Sequence, residues 1–331
     1  MARPLRIEYE GALYHITGRG NARQRVFGDE RDCAKFVQQV RESLERYQVE
    51  LHGYVLMQNH YHLMATTRRA NLSRWMHWLV TAYTVYFNRR HRRVGHLFQS
   101  RYKSIVVEGD GYPLSLSRYL HLNPVRGLVL GKGNPGERRN RLRAWKWSSY
   151  LGYGGLAKPE PWISQEMILS EIGGKRGGRH LRYRRYVEEG LLREIENPLG
   201  QARWQTILGR EDFVQQLRDR LSSRGRASKE IPALRRMAQR PDPQLIVRGV
   251  ASAYRLPVER LLRPGGKGNE ARSVAMVLVW DYCGMSLPEV AELFGAAGYT
   301  AVAQRISRTR QSDCANKLRF KLDKLGHKCG K

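Results

Sequence analysis

The decapeptide VLMQNHYHLM, Val55 to Met64, sets two histidines one residue apart inside an apolar run. In a strand, residues i and i+2 project from one face, so His60 and His62 point together while Tyr61 points away. Such a pair is a two-armed ligand for a metal ion or a proton, or it is two polar residues on a solvent face. A second group comes from SRYLHLNPVRG, Ser117 to Gly127. Tyr119 and Asn123 are four apart on a helix and therefore stack one turn apart on one face. Pro124 disfavours further helix at Asn123 and leaves the amide oxygen free to reach outward. Two imidazoles and one amide oxygen can hold a divalent cation with open positions, and a tyrosine one turn away completes the parts for phosphoryl transfer. A phenolate attacks phosphorus, a phosphotyrosine forms and a 3′-hydroxyl is released. The same residues also read as a core aromatic and a helix stop before proline, and spacing alone leaves both open. A hydrolase working through activated water would need a general base, and no acidic residue stands close to the histidines in sequence.

These groups need a frame. Tyr14 to Thr17 are strand-like and run into the Gly- and Arg-rich GRGNARQRVF. From Asp29, the residues Cys33, Phe36, Val37, Val40, Leu44 and Tyr47 recur at helical spacing behind an acidic start. VELHGYVLM and HYHLMATT then read as antiparallel strands joined by a tight turn at Gln58 and Asn59. A second helix is expected from Asn71 to about Arg90, a fourth strand in RYKSIVVEG, and a short helix from about Pro113 to Leu122. The order strand, helix, strand, strand, helix, strand, helix predicts an α+β fold, a ferredoxin-like antiparallel sheet with helices on one face.

The chain has 331 residues, enough for two domains, and 59 Lys plus Arg against 30 Asp plus Glu give a formal net charge of +29. Clustered cations gain by releasing the counterions condensed on nucleic acid, so a polyanionic partner is expected, nucleic acid ahead of acidic membrane. MARPLRIEYEG lacks the apolar core of a signal peptide and no apolar run approaches a membrane span, which points to the cytoplasm. Cys33, Cys283, Cys314 and Cys329 are scattered without a C-x-x-C and read as reduced and structural. Between about Gly127 and Gly200 the pattern loosens into Arg-rich stretches interleaved with aromatics. There Tyr183 and Tyr186 are equally a base-stacking surface or a packed cap, while Trp145 and Trp147 read as packed.

The pair HYH and the later Tyr-x-x-x-Asn are set among TGRGNARQRVF, YVLMQNHYHLM, GHLFQSRYKSIVVE, YLHLNPVRG and WKWSSY. Together they resemble the REP-associated tyrosine transposases, single-strand HUH (His, hydrophobic, His) nucleases related to the transposases of small insertion sequences. The resemblance covers about Pro4 to Tyr150. It implies that His60 and His62 bind Mg²⁺ or Mn²⁺, that Asn123 supplies the third protein ligand and that Tyr119 is the nucleophile. It also implies a single-stranded or hairpin DNA substrate of the kind formed by repetitive extragenic palindromes. Imidazoles suit manganese or zinc better than magnesium on chemical grounds; the resemblance carries magnesium or manganese. Arg19, Asn21 and Arg23 after the first strand, with Arg101 and Lys103 alternating about Tyr102, are candidates for the phosphate backbone, the alternative being an ordinary charged surface.

Helical periodicity returns from about Arg240. Ser286 with Glu289 three residues on and Pro288 in the first turn reads as a capping box, and a further helix begins near Tyr299 with Val302 and Ile306 inward. This is helix-turn-helix grammar, and on pattern alone two packed helices with no DNA role fit it equally well; the overall charge tips the reading toward DNA. Residues 242 to 311 resemble the duplex-binding domain of the bacterial replication initiator DnaA, through EARSVAMVLVWDYCGMSLPEVAELFG. By that resemblance Arg272 contacts DNA and Thr300 starts the recognition helix, while helical spacing leaves Gln304, Arg305 and Arg308 available on the outer side. GAAGYTAV departs from the initiator's pattern at the reading edge, and no phosphate-binding G-x-x-x-x-G-K-[ST] loop is present.

The sequence therefore predicts a tyrosine nuclease domain over 1–150, a basic linker and helical connection over 151–239, and a helix-turn-helix domain over 240–331. The expected function is metal-dependent cleavage and rejoining of REP-type hairpin DNA through a 5′-phosphotyrosine, in a nucleoid-associated monomer or homodimer that touches no membrane. Hairpin DNA is the expected partner of the first domain and duplex DNA of the last. The rival is a structured-DNA-binding protein or transcriptional regulator that does not cut.

Overall fold

The computed structural model describes residues 6–126, 130–193, 195–222, 241–263 and 269–310. The expected boundary at 239 and 240, and Cys314 and Cys329, lie outside them. The chain divides into two compact units, one over Arg6–Pro198 and one from Leu199 onward.

In the first unit the expected elements form: β1 Ala12–Arg19, α1 Glu30–Tyr47, β2 Val49–Met57, β3 His60–Thr67, α2 Leu72–Arg90, β4 Lys103–Val107 and α3 Pro113–His121. The strand order is β2, β3, β1, β4, and every neighbouring pair is antiparallel. Asp29 caps α1 by accepting from the amides of Arg31 and Asp32. At the other end of that turn, buried Asp32 accepts from the Gly28 amide at 2.8 Å and pairs with Arg90 and His91, which fastens the start of α1 to the end of α2.

Pleating sets the two faces of β3 apart. Tyr61, fully buried, packs on Phe36 of α1 with ring centres 4.9 Å apart. His62, one residue on, meets Tyr119 of α3 on the opposite face. The α+β class holds, and α1 lies on one face as the pattern implies. The departure from helices on one face only is α3, which carries Tyr119 to the other side. There α3 is held by a buried polar cluster: His121 bonds the Tyr183 hydroxyl at 2.6 Å and the Ser149 hydroxyl at 2.8 Å. Ser149 Oγ in turn accepts from the Tyr54 amide of β2 at 3.0 Å. Tyr183 is thus core and not a base-stacking surface, a correction to one of the two readings left open; Tyr186 is half-buried beneath Arg118. Trp145 donates to the Leu56 carbonyl at 3.2 Å, in keeping with a packed role.

The second unit gathers Val247, Val250, Leu261, Val274, Leu278, Val290, Phe294, Val302 and Ile306 into one core. They come from the helices Pro243–Tyr254, Val258–Leu262, Glu270–Tyr282, Leu287–Leu293 and Tyr299–Arg310 and the residue after the fourth of them. The capping box forms as read, Ser286 accepting from the Glu289 amide and Glu289 from the Ser286 amide. Cys33 and Cys283 are buried free thiols, and burial pushes the Cys33 thiol up to about 12.

Candidate active site

β1 and β3 build the floor. Their register sets Arg19 across from His60 and Thr17 across from His62, and β4 adds Lys103 across from Thr17. Directly opposed residues in a sheet project from the same face, so Thr17, Arg19, His60, His62 and Lys103 share one surface. The loop after β1 is tied to the turn before His60: the Gly20 amide donates to the Asn59 carbonyl at 2.9 Å, and the Asn59 side chain donates to the Arg23 carbonyl at 3.2 Å. Arg19, Asn21 and Arg23 are exposed beside the histidine pair. Arg101 is exposed just ahead of β4, and Tyr102 is turned inward under the Arg6 guanidinium at 4.0 Å, the alternation expected.

The two imidazoles differ in their surroundings. His60 is half-buried and its Nδ1 donates to Asn59 Oδ1 at 2.6 Å, which leaves Nε2 as the lone-pair nitrogen. Burial, with the Arg19 charge second, lowers His60 to about 4. His62 is 7% exposed, and burial followed by the neighbouring His15, His60 and Arg19 holds it well below its ordinary value. Both rings are neutral at pH 7 and able to ligate. Tyr119, half-buried, stands edge-on to this pair, 6.3 Å between its ring centre and that of His62. Asn123 follows one turn later; its Nδ2 donates to the Tyr119 and Leu120 carbonyls at 3.0 and 3.1 Å, directing Oδ1 away from the helix.

Two residues that spacing did not disclose join the site. His15, buried on β1, lies diagonal to His62 and shares a hydrogen bond from its Nε2 to His62 Nδ1 at 2.9 Å. It also lies edge-on to Tyr119, 6.5 Å between ring centres. Arg126 places its guanidinium 4.9 Å from the centre of the Tyr119 ring and donates to the Ile195 carbonyl at 2.9 Å. The alternation of His15 with Thr17 was visible, but the contact of its ring with His62 across β1 and β3 was not.

The donor set fits a divalent cation. Among the described residues no group of three His, Cys, Asp or Glu could hold a metal, and a site here would need the Asn123 amide oxygen as its third donor. His60 Nε2, His62 Nε2 and Asn123 Oδ1 are neutral donors, which leave an ion's charge available to a phosphate.

In the second unit, Arg272 departs from the expected DNA contact. It is 3% exposed, and its guanidinium donates to the carbonyls of Leu261 at 2.9 Å, Arg263 and Phe294 at 2.6 Å. It ties helices together from inside the fold, where a phosphate does not reach it. Thr300 and Arg308 are exposed on the helix Tyr299–Arg310, and Arg305 is half-buried.

Residues 8–123 match the family model described as "Transposase IS200 like". That stretch, which holds His15, His60, His62, Tyr119 and Asn123, is similar to the IS200-like transposases. A solved structure of a REP-associated tyrosine transposase bound to a REP hairpin is 13% identical, with 50% of this chain and 91% of that chain covered and a TM-score of 0.38. No curated protein matches. The family match ends before residues 242 to 311.

Proposed function

We propose that the first unit is a metal-dependent tyrosine nuclease and strand transferase acting on single-stranded or REP-type hairpin DNA. The observation that carries this reading is the approach of Tyr119, on α3, to His62 of the buried histidine pair on β3, 6.3 Å between ring centres, in a stretch that matches the IS200-like transposases.

His60, His62 and Asn123 would hold a divalent cation, Mg²⁺ or Mn²⁺, which supplies positive charge at a phosphate oxygen when bound. The other parts belong to the chain. Arg19 and Lys103, on the same sheet surface, and Asn21 and Arg23 beside it, orient the DNA backbone through its phosphates. Tyr119 Oη attacks phosphorus, its proton passes to solvent, the O–P bond forms, and the bond to the 3′-oxygen breaks as that oxygen takes a proton from solvent. The products are a 5′-phosphotyrosine and a free 3′-hydroxyl, and attack by a 3′-hydroxyl on the phosphotyrosine rejoins the strand. Arg126 over the Tyr119 ring favours the phenolate through its charge.

The second unit, through the exposed side of the helix Tyr299–Arg310 with Thr300 and Arg305, would add affinity for flanking duplex by tethering. No helix among the described residues is long and apolar enough to cross a membrane.

The test is cleavage of end-labelled hairpin oligonucleotides with Mn²⁺ or Mg²⁺, read on a sequencing gel. The proposal expects a single cut in wild type and none in Tyr119→Phe. A cut that survives Tyr119→Phe points to activated water, and binding with no cut under either metal points to the structured-DNA-binding regulator.

A further inference from the structure

The first unit has a second concavity, at the far end of β3 from His60. Its volume is about 810 Å³, and Arg46, Tyr47, Arg69, Arg74, His77 and Trp78 border it. That volume falls within the range of roughly 300–1,000 Å³ typical of sites for small organic groups. None of the residues that line it is acidic. Arg46, Arg69 and Arg74 are exposed. The rings of Tyr47 and Trp78 lie 6.2 Å apart with their planes at 44°, so a flat group can stack on one of them but not be sandwiched between both. The Arg46 guanidinium stands 5.5 Å from the Tyr47 ring and 5.6 Å from the Trp78 ring, joining cation and aromatic at one point.

We propose that this cavity binds one nucleotide of single-stranded DNA, its base stacked on Trp78 or Tyr47 and its phosphates held by Arg46, Arg69 and Arg74. An aromatic platform engages a base whose face is uncovered, which duplex DNA does not offer, and the arginines supply the backbone contacts that such sites combine with stacking. The cavity lies too far from Tyr119 to hold the nucleotides being cut. The two ends of β3, His60 and Thr67, are seven residue steps apart, about 23 Å at roughly 3.3 Å per residue. A strand reaching both sites must span about seven nucleotides at the stacked spacing of roughly 3.4 Å. The cavity therefore acts as a remote anchor for single-stranded DNA beside the hairpin, which sets a minimum length for tight binding.

The inference takes its ligand, DNA, from the proposed function but needs no cleavage, so it is tested in EDTA on the full chain. The probes are 5-nucleotide and 20-nucleotide single strands carrying 5-iodouracil, photo-crosslinked and mapped by peptide sequencing, with affinities from fluorescence anisotropy. The expected result is a crosslink at Tyr47 or Trp78. Trp78→Ala and the pair Arg69→Glu with Arg74→Glu should each weaken the 20-mer about 10-fold or more while leaving the 5-mer unchanged. Because Trp78 is half-buried, the exposed arginine pair is the variant that decides, with an unchanged thermal midpoint confirming its fold. Crosslinks confined to other segments, or a 20-mer affinity unmoved by the arginine pair, would overturn the proposal. So would displacement of the 20-mer by RNA of the same sequence at lower concentration. Crosslinking at this cavity in a protein that never cuts DNA would sink the nuclease reading and leave this one standing.

Discussion

His62 can ligate only while it is neutral, and burial beside His15, His60 and Arg19 keeps it so. Its free nitrogen is chosen by its neighbour: if His62 Nδ1 donates to His15 Nε2, Nε2 carries the lone pair. His15 is therefore a positioning residue, and His15→Ala should weaken Mn²⁺ binding about 10- to 100-fold in a titration followed by electron paramagnetic resonance without DNA. Unchanged affinity would contradict that role. His121 serves the nucleophile differently, by holding α3 through Tyr183 and Ser149, and burial lowers it to about 3. A histidine near 6.5 when unfolded and about 3 when folded binds its proton preferentially in the unfolded chain between those values. Stability is thus lost as pH falls through that window, because the unfolded chain takes up the proton while the folded His121 stays neutral. Thermal midpoints measured from pH 7 to pH 4 should drop less steeply in His121→Gln than in wild type. The candidate ligands and the tyrosine were legible because strand and helix periods place i+2 and i+4 neighbours on one face; His15 and Arg126 were hidden because their roles arise from contacts between elements.

The strands and the first two helices follow from local pattern, since alternation and 3.6-residue periodicity are properties of the chain itself. The face taken by α3 is not local. It depends on the cluster His121, Ser149, Tyr183 and Tyr54, whose members are up to 129 positions apart, from Tyr54 to Tyr183. The same reason explains Tyr183: Arg-rich surroundings suggested a surface, while its hydroxyl is bonded in the interior to Ser117 at 2.9 Å. Arg272 reverses its expected role in the same way, because a basic residue in a DNA-binding pattern can equally cap carbonyls inside the fold. Joining of α1 to α2 rests on Asp32, whose carboxylate is fully buried between the Gly28 amide, Arg90 and His91. Asp32→Ala leaves the Gly28 amide without its acceptor and Arg90 with Asp29 alone, and should destabilise the first unit in a denaturant titration.

The whole molecule carries a net charge of +29, and its two units divide the work of holding nucleic acid and cutting it in the proposed reading. Arg305→Glu with Arg308→Glu, on the last described helix, should weaken binding to a hairpin with duplex flanks. For every phosphate that the variant no longer neutralises, the slope of log affinity against log salt should fall by about 1, and binding to a bare short single strand should be unchanged. The central claim is the covalent one. A hairpin oligonucleotide labelled at its 3′ end is incubated with the protein and Mn²⁺, and the mixture is run on a denaturing protein gel. A labelled, protease-sensitive adduct that disappears in Tyr119→Phe is the predicted result, whereas cleavage without any adduct, or an adduct that persists in Tyr119→Phe, would contradict it.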